Sequence, residues 1–226
     1  VVLEDPGIGL GNARNLGISA TSKPLILNMG SDNILPPGQL EVMIEELDKG
    51  NYSGVSAQTR IEGDSYPSKG LNAWRRGRFR PGPVSVIGTP TLFRGDLLRT
   101  HPYDPQRAFS DDSELCERWT AEFGATFAIS HAEVLEQGKT SWNEVRIRAR
   151  MYGISDADVY RRGASGGWSI RRKGTSLAHP FMSDLLTPLR HQNPGEYVTT
   201  APFLAGFTAL RYWYWFQDWW RKSGSS

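Results

Sequence analysis

The fold class is decided by residues 25–38, which read LILNMGSDNILPPG. The apolar run Leu25-Ile26-Leu27 is typical of a short strand that is buried in a parallel sheet. Polar residues 30–33 end this strand, and Pro36-Pro37-Gly38 then begins a helix. That helix is amphipathic, because Leu40, Met43, Ile44 and Leu47 recur on one face. A strand followed directly by a helix is the repeating pattern of α/β proteins.

The same alternation continues on both sides of this stretch. A helix is predicted over residues 12–22, and strands are predicted over residues 54–61, 84–93 and 126–129. A further helix begins at Asp111 and Asp112, and residues 62–83 are predicted to form a long loop. Strands and helices that alternate at this spacing predict an α/β fold with a mostly parallel sheet flanked by helices.

Composition narrows the class of protein. The chain has 226 residues, of which 38% are hydrophobic and 22% charged, so it is long enough and apolar enough to bury a core. A net charge of +2 suits anionic ligands such as diphosphates or an anionic membrane surface, but it is too small to indicate nucleic acid. The single cysteine, Cys116, excludes an intrachain disulfide and favours a reducing, cytoplasmic location.

The first candidate for chemistry is a glycine-rich turn that carries Gly7, Gly9 and Gly11 just before Arg14 and Asn15. Glycines before a helix let backbone N–H groups approach a phosphate, and the helix dipole favours the negative charge. Arg14 would add a cation. A simple turn before a helix explains the same glycines equally well, so both interpretations stay open.

Asp32 is the second candidate, because it follows the strand at its carboxyl end. Ligands of open α/β sheets bind at this edge, and a carboxylate there can hold Mg²⁺ or Mn²⁺ together with substrate phosphates. The alternative is a turn aspartate that bonds its own backbone beside Asn33.

The third candidate is the acidic run Asp111-Asp112-Ser113-Glu114. Acids at a helix start interact favourably with the helix dipole, which is one interpretation. Crowded carboxylates also raise one another's proton affinity, which suits a general base.

Four ordered motifs contain these candidates. They are Ala13-Arg14-Asn15-Leu16-Gly17, Gly30-Ser31-Asp32-Asn33-Ile34-Leu35-Pro36, Gly88-Thr89-Pro90-Thr91-Leu92-Phe93-Arg94 and Asp111-Asp112-Ser113-Glu114-Leu115-Cys116-Glu117-Arg118. In order and spacing they resemble the pattern of the family-2 glycosyltransferases, which share the GT-A fold. The resemblance runs from about Gly7 to Ile154.

The resemblance implies an enzyme that transfers a sugar from a nucleotide-diphosphate sugar to an acceptor hydroxyl, with inversion at the anomeric carbon. Asp112 would be the general base, and Asp32 would hold Mn²⁺ or Mg²⁺ as cofactor. Donor contacts are expected from Gly9, Gly11, Arg14, Asn15 and Asp32, and an acceptor pocket from Gly88, Thr89, Asp111 and Glu114. Asp32 and Asp112 are then expected to border one cleft. The acceptor would be a saccharide or glycolipid, and synthesis of cell-envelope polysaccharide, glycolipid or protein-linked glycan is open.

Two departures from the family pattern shape these expectations. Gly30 stands where the first aspartate of the metal motif usually lies, so Asp32 alone is retained. The strand and helix that open the family's fold should also precede Gly7, so we expect an N-terminally truncated GT-A core. The expected domains are residues 1–154 for this partial core and residues 155–226 for a C-terminal extension.

The C-terminal extension is predicted to be irregular or helical, and its last part is aromatic. Residues 197–222 are largely apolar, but the uncharged stretch 197–210 is too short to span a bilayer. An interfacial helix on the inner face of the cell membrane and a helix packed within the protein are both compatible with this pattern.

Other functions remain as alternatives. Because the metal motif is incomplete, a catalytically inert or nucleotidyl-transferring GT-A relative is one of them. Another is a single-stranded nucleic-acid binder that uses the arginines and aromatic rings of residues 74–80, although the near-balanced charge elsewhere favours no nucleic-acid partner.

Overall fold

The computed structural model describes residues 2–5, 7–105, 111–192 and 194–223. The chain divides into two compact units. The first unit comprises Val1–Arg60 and Arg80–Gln137, and the second comprises Ile61–Phe79 and Gly138–Ser226. The boundary expected from the sequence, at Ile154, lies inside a long helix of the second unit.

The described helices and strands alternate through the first unit and become purely helical in the second. In chain order they are α1 (Leu10–Ser19), β1 (Leu25–Asn28), β2 (Asn33–Ile34), α2 (Gln39–Lys49), β3 (Gly54–Ile61), α3 (Tyr66–Arg78), β4 (Gly82–Val84), β5 (Thr91–Arg94), α4 (Gly95–Thr100), α5 (Asp111–Phe123), β6 (Phe127–Glu136), α6 (Trp142–Ser165), α7 (Ile170–Pro180), α8 (Thr187–Arg190) and α9 (Tyr197–Ser223). A short π-helix, Phe181–Leu186, joins α7 to α8, and a 3₁₀ turn, Pro194–Glu196, precedes α9.

The first unit is an α/β layer structure, which confirms the predicted GT-A-like fold class. Its six-stranded sheet has the order β1-β5-β3-β6-β2, and β4 pairs with β6. Neighbouring residues of β5 face opposite layers, because Phe93 packs with Leu115 and Trp119 of α5 while Leu92 packs with Met43 and Leu47 of α2. Helices therefore cover both faces of the sheet.

The sheet is mixed, which corrects the prediction of a mostly parallel one. The four strand pairs with a described register, β1–β5, β3–β5, β2–β6 and β4–β6, are all antiparallel. Because β1 and β3 both run opposite to β5, they run in the same direction, as a strand-helix-strand unit requires. However, β5 lies between them, and β1 is a half-buried strand at the edge of the described sheet.

Helix α3 replaces the long loop that was predicted for residues 62–83. Ser65 caps its first turn by accepting a hydrogen bond from the backbone N–H of Ser68, and Pro67 occupies a position near the helix start where proline is tolerated. Leu71 and Trp74 bury one face of the helix in the second unit. The wrong prediction came from the many charged residues near its end, which obscured an amphipathic pattern.

The second unit is built around α6 and α9. Helix α6 begins with a capping box, in which the side chains of Ser141 and Glu144 are each bonded to the other residue's backbone N–H. Gly153 of α6 allows α9 to approach closely, since a Cβ atom at this position would lie 2.4 Å from the carbonyl oxygen of Arg211. Two helices that pack so tightly leave no room there for a larger side chain.

A buried ion network ties the helices of the second unit together. Asp184 is fully buried in the π-helix and accepts hydrogen bonds from Trp74 Nε1 at 3.0 Å, from Arg211 Nη1 at 2.5 Å and from Arg78. Arg211 also binds Asp156 through Nε at 2.6 Å and Nη2 at 2.9 Å. We call Arg78, Asp156, Asp184 and Arg211 the closed cluster.

The aromatic C-terminal helix predicted from the sequence is α9. Its first half packs inside the second unit through Phe203, Leu204 and Phe207, whereas Trp213 and Trp220 of its second half are exposed. Among the residues that the structure describes, no helix combines the length and the apolar character needed to cross a membrane.

Candidate active site

Arg14 brings the first and fourth sequence motifs together. Its Nη1 atom donates to Asp111 Oδ2 at 2.5 Å and to Asp112 Oδ1 at 2.8 Å, although these residues are nearly one hundred positions apart in the chain. Its Nη2 atom donates to Thr89 Oγ1 at 2.8 Å, which adds the third motif. We call Arg14, Asp111 and Asp112 the open cluster.

Local structure explains why these side chains meet. Arg14 lies in the second turn of α1, and the two aspartates form the first turn of α5. The backbone of the third motif is fixed beside them, because the hydroxyls of Ser56 and Thr91 both donate to the carbonyl oxygen of Gly88. A Cβ atom at Gly88 would lie 3.6 Å from Asp112 Oδ2, so this residue borders the carboxylate.

Tyr103 is a member of this site that sequence reasoning missed. Its hydroxyl donates to Asp112 Oδ1 at 3.3 Å and accepts from Asn28 Nδ2 at 3.4 Å, and its ring lies 5.0 Å from the Arg14 guanidinium. Asn15 holds its backbone at both ends, donating to the carbonyl oxygen at 2.8 Å and accepting from the N–H at 3.0 Å. No local pattern around residue 103 indicated such a contact.

The two carboxylates of the open cluster differ in their access to solvent. The Asp111 side chain keeps 6% of its exposure, whereas the Asp112 side chain keeps 24%. Burial raises the pKa of the Asp112 carboxyl above its usual value, Arg14 opposes this shift and Asp111 reinforces it. Burial also raises the pKa of Tyr103, so its hydroxyl stays protonated and can donate to Asp112. Asp112 is therefore the more accessible carboxylate of a fixed group.

The described hydrogen bonds of Glu114 do not go to a residue of the open cluster. Its carboxylate accepts from Arg118 Nε at 2.7 Å one turn further along α5, and Arg118 also binds the carbonyl oxygen of Pro102. This contact holds the chain next to Tyr103. The acceptor role predicted for Glu114 stays a prediction.

Asp32 lies in the turn that follows β1. The turn is closed by a hydrogen bond from the Asn33 N–H to the Gly30 carbonyl oxygen, and the Gly30 N–H donates to Asn33 Oδ1. A Cβ atom at Gly30 would lie 2.7 Å from Asp32 Oδ1, so the absence of a side chain there makes room for the Asp32 carboxylate. Asn28 is the last residue of β1 and lies four residues before Asp32. Its Nδ2 atom donates to the Tyr103 hydroxyl.

The predicted glycine-rich turn precedes α1 and forms its start. Gly9 is the N-cap residue, and its carbonyl oxygen accepts from the Ala13 N–H at 3.1 Å. Gly11 allows close packing, because a Cβ atom there would lie 2.3 Å from the carbonyl oxygen of Asp104. Both glycines thus place α1, and with it Arg14 and Asn15, against the segment that contains Tyr103.

The arginine-rich segment near the end of α3 is used inside the second unit. Trp74 is 1% exposed, and Arg78 covers its ring while binding Asp184. Arg76 donates to Glu196 at 2.7 Å. Trp74 is therefore not available to stack on bases, which removes one of the two aromatic rings that the single-strand-binding alternative would use.

No group of three or more histidine, cysteine, aspartate or glutamate side chains is arranged to hold a metal ion within the described parts of the chain. The metal role predicted for Asp32 would rest on one carboxylate together with substrate phosphates and water. This donor set is one that Mg²⁺ accepts.

Comparison with known proteins supports the class that this geometry indicates. Residues 1–103, a little under half of the chain, match the model of the family described as Glycosyl transferase family 2. The match confirms the resemblance drawn from the motifs. It includes the first three motifs and Tyr103, whereas the fourth motif lies beyond it.

The similarity to solved structures is weaker than the match to the family model. S. aureus TarS 1–349 in complex with UDP, and the same segment in complex with UDP-GlcNAc, each show 13% sequence identity and a TM-score of 0.45. Each alignment covers 99% of this chain and 74% of the TarS chain. A further S. aureus TarS structure shows 14% identity and a TM-score of 0.44, over 94% of this chain and 43% of that one. No curated protein matches the chain.

The layered sheet of the first unit is a GT-A-like α/β fold, and residues 1–103 match the model of the family-2 glycosyltransferases.

Proposed function

We propose that the chain transfers a sugar from a nucleotide-diphosphate donor to an acceptor hydroxyl, with inversion, and that Asp112 is the general base. The observation that carries the proposal is the three-way contact of Arg14 with Asp111, Asp112 and Thr89. It joins the segment matched to the glycosyltransferase family with the acidic motif that lies beyond the match.

Asp112 suits the base role better than Asp111 does. Both bind Arg14, but only Asp112 keeps enough exposure to meet an acceptor. Burial raises its pKa, so the ionised carboxylate is a stronger base than that of an ordinary aspartate. Asp111 and Tyr103 then hold Asp112 in one orientation.

The proposed reaction is a single displacement. The acceptor hydroxyl gives its proton to an Asp112 carboxylate oxygen, and the acceptor oxygen forms a bond to the anomeric carbon. The bond from that carbon to the donor phosphate oxygen breaks on the opposite side, and the nucleotide diphosphate leaves with the electron pair. Attack and departure on opposite faces invert the configuration.

Arg14 and Asn15 were expected to bind the donor, and we propose that they act on the site in a further way. Arg14 orients the two carboxylates and limits the rise in the pKa of Asp112. Asn15 fixes the backbone of Tyr103, whose hydroxyl reaches the same carboxylate. Gly9 and Gly11 support these positions, so the donor phosphate would approach a helix start that is already fixed.

We propose Asp32 as the protein ligand of a Mn²⁺ or Mg²⁺ ion that is shared with the donor diphosphate. When bound, the ion would neutralise negative charge on the departing diphosphate. The absence of a side chain at Gly30 supports this assignment, since a Cβ atom there would lie 2.7 Å from Asp32 Oδ1 and would displace the carboxylate.

The decisive test compares Asp112→Asn with the wild type in the full-length protein. Transfer and hydrolysis would be measured with a panel of UDP-, GDP- and dTDP-sugars and Mn²⁺. Loss of a general base should lower turnover by about 10²–10⁴-fold. Donor binding, measured by calorimetry, should change little, because the carboxylate acts on the acceptor.

Glu117→Gln is the matched control, since it removes an exposed carboxylate from the same helix α5. It should retain wild-type turnover. Normal turnover by Asp112→Asn would contradict the base assignment. A wild type that binds donor sugars but transfers none would favour the inert or nucleotidyl-transferring alternative, for which the glycine at position 30 is the supporting observation.

A further inference from the structure

The second half of α9 presents a row of exposed aromatic rings. Trp213 is 59% exposed, Phe216 is 60% exposed and Trp220 is 82% exposed. Their spacing of three and four residues places them on one stripe of the helix. Single exposed apolar residues are ordinary, but three large rings in one row form a patch that requires an explanation.

A groove between α6 and α9 adjoins this row. It has a volume of about 280 Å³ and is lined by Arg146, Ile147 and Arg150 of α6 and by Tyr214, Gln217 and Arg221 of α9. The three groove residues of α9 have the same spacing as the exposed rings, and each lies one position further along the helix. The groove and the ring row together are called the α6–α9 surface.

The α6–α9 surface is positively charged. Residues 145–155 contain Arg146, Arg148 and Arg150 but no acidic residue, and residues 197–217 contain no acidic residue either. The next acid along α9, Asp218, binds Arg161 at 2.6 Å and Lys222 at 3.3 Å. Arg146 and Arg150, which line the groove, are exposed, and neither of these two stretches contains a carboxylate.

Exposed aromatic rings beside cations match the chemistry of one partner. Tryptophan rings favour the headgroup level of a bilayer, and arginines beside them attract lipid phosphates. We propose that the α6–α9 surface binds an anionic lipid bilayer, with α9 lying in the plane of the interface. An anionic polymer would use the arginines but would leave the three rings in water, so the bilayer explains both features.

This proposal rests on the second unit alone and is independent of sugar transfer. It predicts that the protein floats with vesicles that contain phosphatidylglycerol and binds weakly to vesicles of phosphatidylcholine only. Binding should also weaken as salt rises, because the lipid charges are screened.

Two sets of substitutions test the two parts of the surface. Arg146→Gln combined with Arg150→Gln should weaken binding to the anionic vesicles by about 30-fold, because each cation contributes roughly fivefold. Trp213→Ser, Phe216→Ser and Trp220→Ser together should weaken binding by roughly tenfold or more, because the inserted apolar area is lost.

Ile170→Ser and Arg171→Gln are matched controls on α7, where both residues are exposed. They should bind vesicles as the wild type does, and circular dichroism should show that every variant keeps its helices. The proposal is overturned if the wild type does not float with anionic vesicles, or if the ring variant binds them normally. It is also overturned if the wild type binds soluble polyphosphate more tightly than the vesicles.

Discussion

Each unit of this chain contains a buried cluster of arginine and aspartate, and the two clusters are built differently. In the open cluster one guanidinium, that of Arg14, serves two carboxylates, and Asp112 keeps 24% of its side-chain exposure. In the closed cluster Asp184 is fully buried and accepts hydrogen bonds from Trp74, Arg78 and Arg211. Asp156 then satisfies the remaining side of Arg211.

The two clusters differ in whether a carboxylate stays accessible to a ligand. The closed cluster balances two aspartates with two arginines, and its central carboxylate is enclosed by donors. The open cluster has one more carboxylate than guanidinium and keeps an accessible oxygen at Asp112. Buried ion pairs of the first kind resist disruption, whereas an excess carboxylate of the second kind can accept a proton.

The largest expected effect on stability comes from breaking the closed cluster. Asp184→Asn leaves the buried guanidinium of Arg211 and the half-buried one of Arg78 with one carboxylate, and we expect a loss of about 3–5 kcal/mol in the free energy of unfolding. Asp111→Asn should cost less, about 1–2 kcal/mol, because Arg14 keeps Asp112. Urea unfolding of both variants measures the difference. Equal losses would show that the two clusters have the same structural role.

The next effect concerns the pH dependence of the open cluster. Asp112 must be ionised to act as a base, so turnover should fall as pH falls through its pKa, which burial places above the usual aspartate value. Arg14→Met removes the group that lowers this pKa, so the acidic limb of the pH–rate profile should move to higher pH. Turnover at neutral pH should drop roughly 10- to 100-fold, as loss of a charged hydrogen-bond donor predicts.

Arg60→Met is the control for that experiment, since Arg60 pairs with Glu133 on an exposed part of the same unit. Its pH–rate profile should coincide with that of the wild type. An acidic limb that stays in place in Arg14→Met would mean that the limb does not report Asp112.

The smallest effect is expected from Tyr103→Phe. This change removes the hydroxyl that donates to Asp112 at 3.3 Å and leaves the ring in the core. A roughly 3- to 10-fold loss of kcat/KM is expected, with a small upward shift of the acidic limb, because the hydrogen bond lowers the pKa of Asp112. Tyr52→Phe, which removes a hydroxyl elsewhere in the same unit, should leave both quantities unchanged. A loss of stability without any change in the profile would limit Tyr103 to a packing role.

Local patterns in the sequence predicted the parts of the fold whose partners are near in the chain. The prediction of the helix after Pro36-Pro37-Gly38 was correct, because the face of a helix depends on residues three to four positions apart. Strand order was not accessible in this way. The position of β5 between β1 and β3 depends on side chains from both faces of the sheet, which no local window contains.

The candidate site also combines residues that local motifs predict with residues whose place depends on distant segments of the chain. Arg14, Thr89, Asp111 and Asp112 could be selected because each lies in a motif of a known family, and the structure brings them into contact. Tyr103 lies in no motif, and its place depends on the backbone bonds from Asn15, 88 positions away. Glu114 was selected for its motif, yet its described bonds go to Arg118.

The sequence alone determines the chemical groups of this protein and the periods of its helices, since these depend on residue type and short-range spacing. Which carboxylate stays accessible, and which one becomes enclosed, depends on burial. Burial arises when distant segments pack together, because removing water from a charge requires atoms from several elements at once. The contrast between Asp112 and Asp184 therefore appears only in the folded chain.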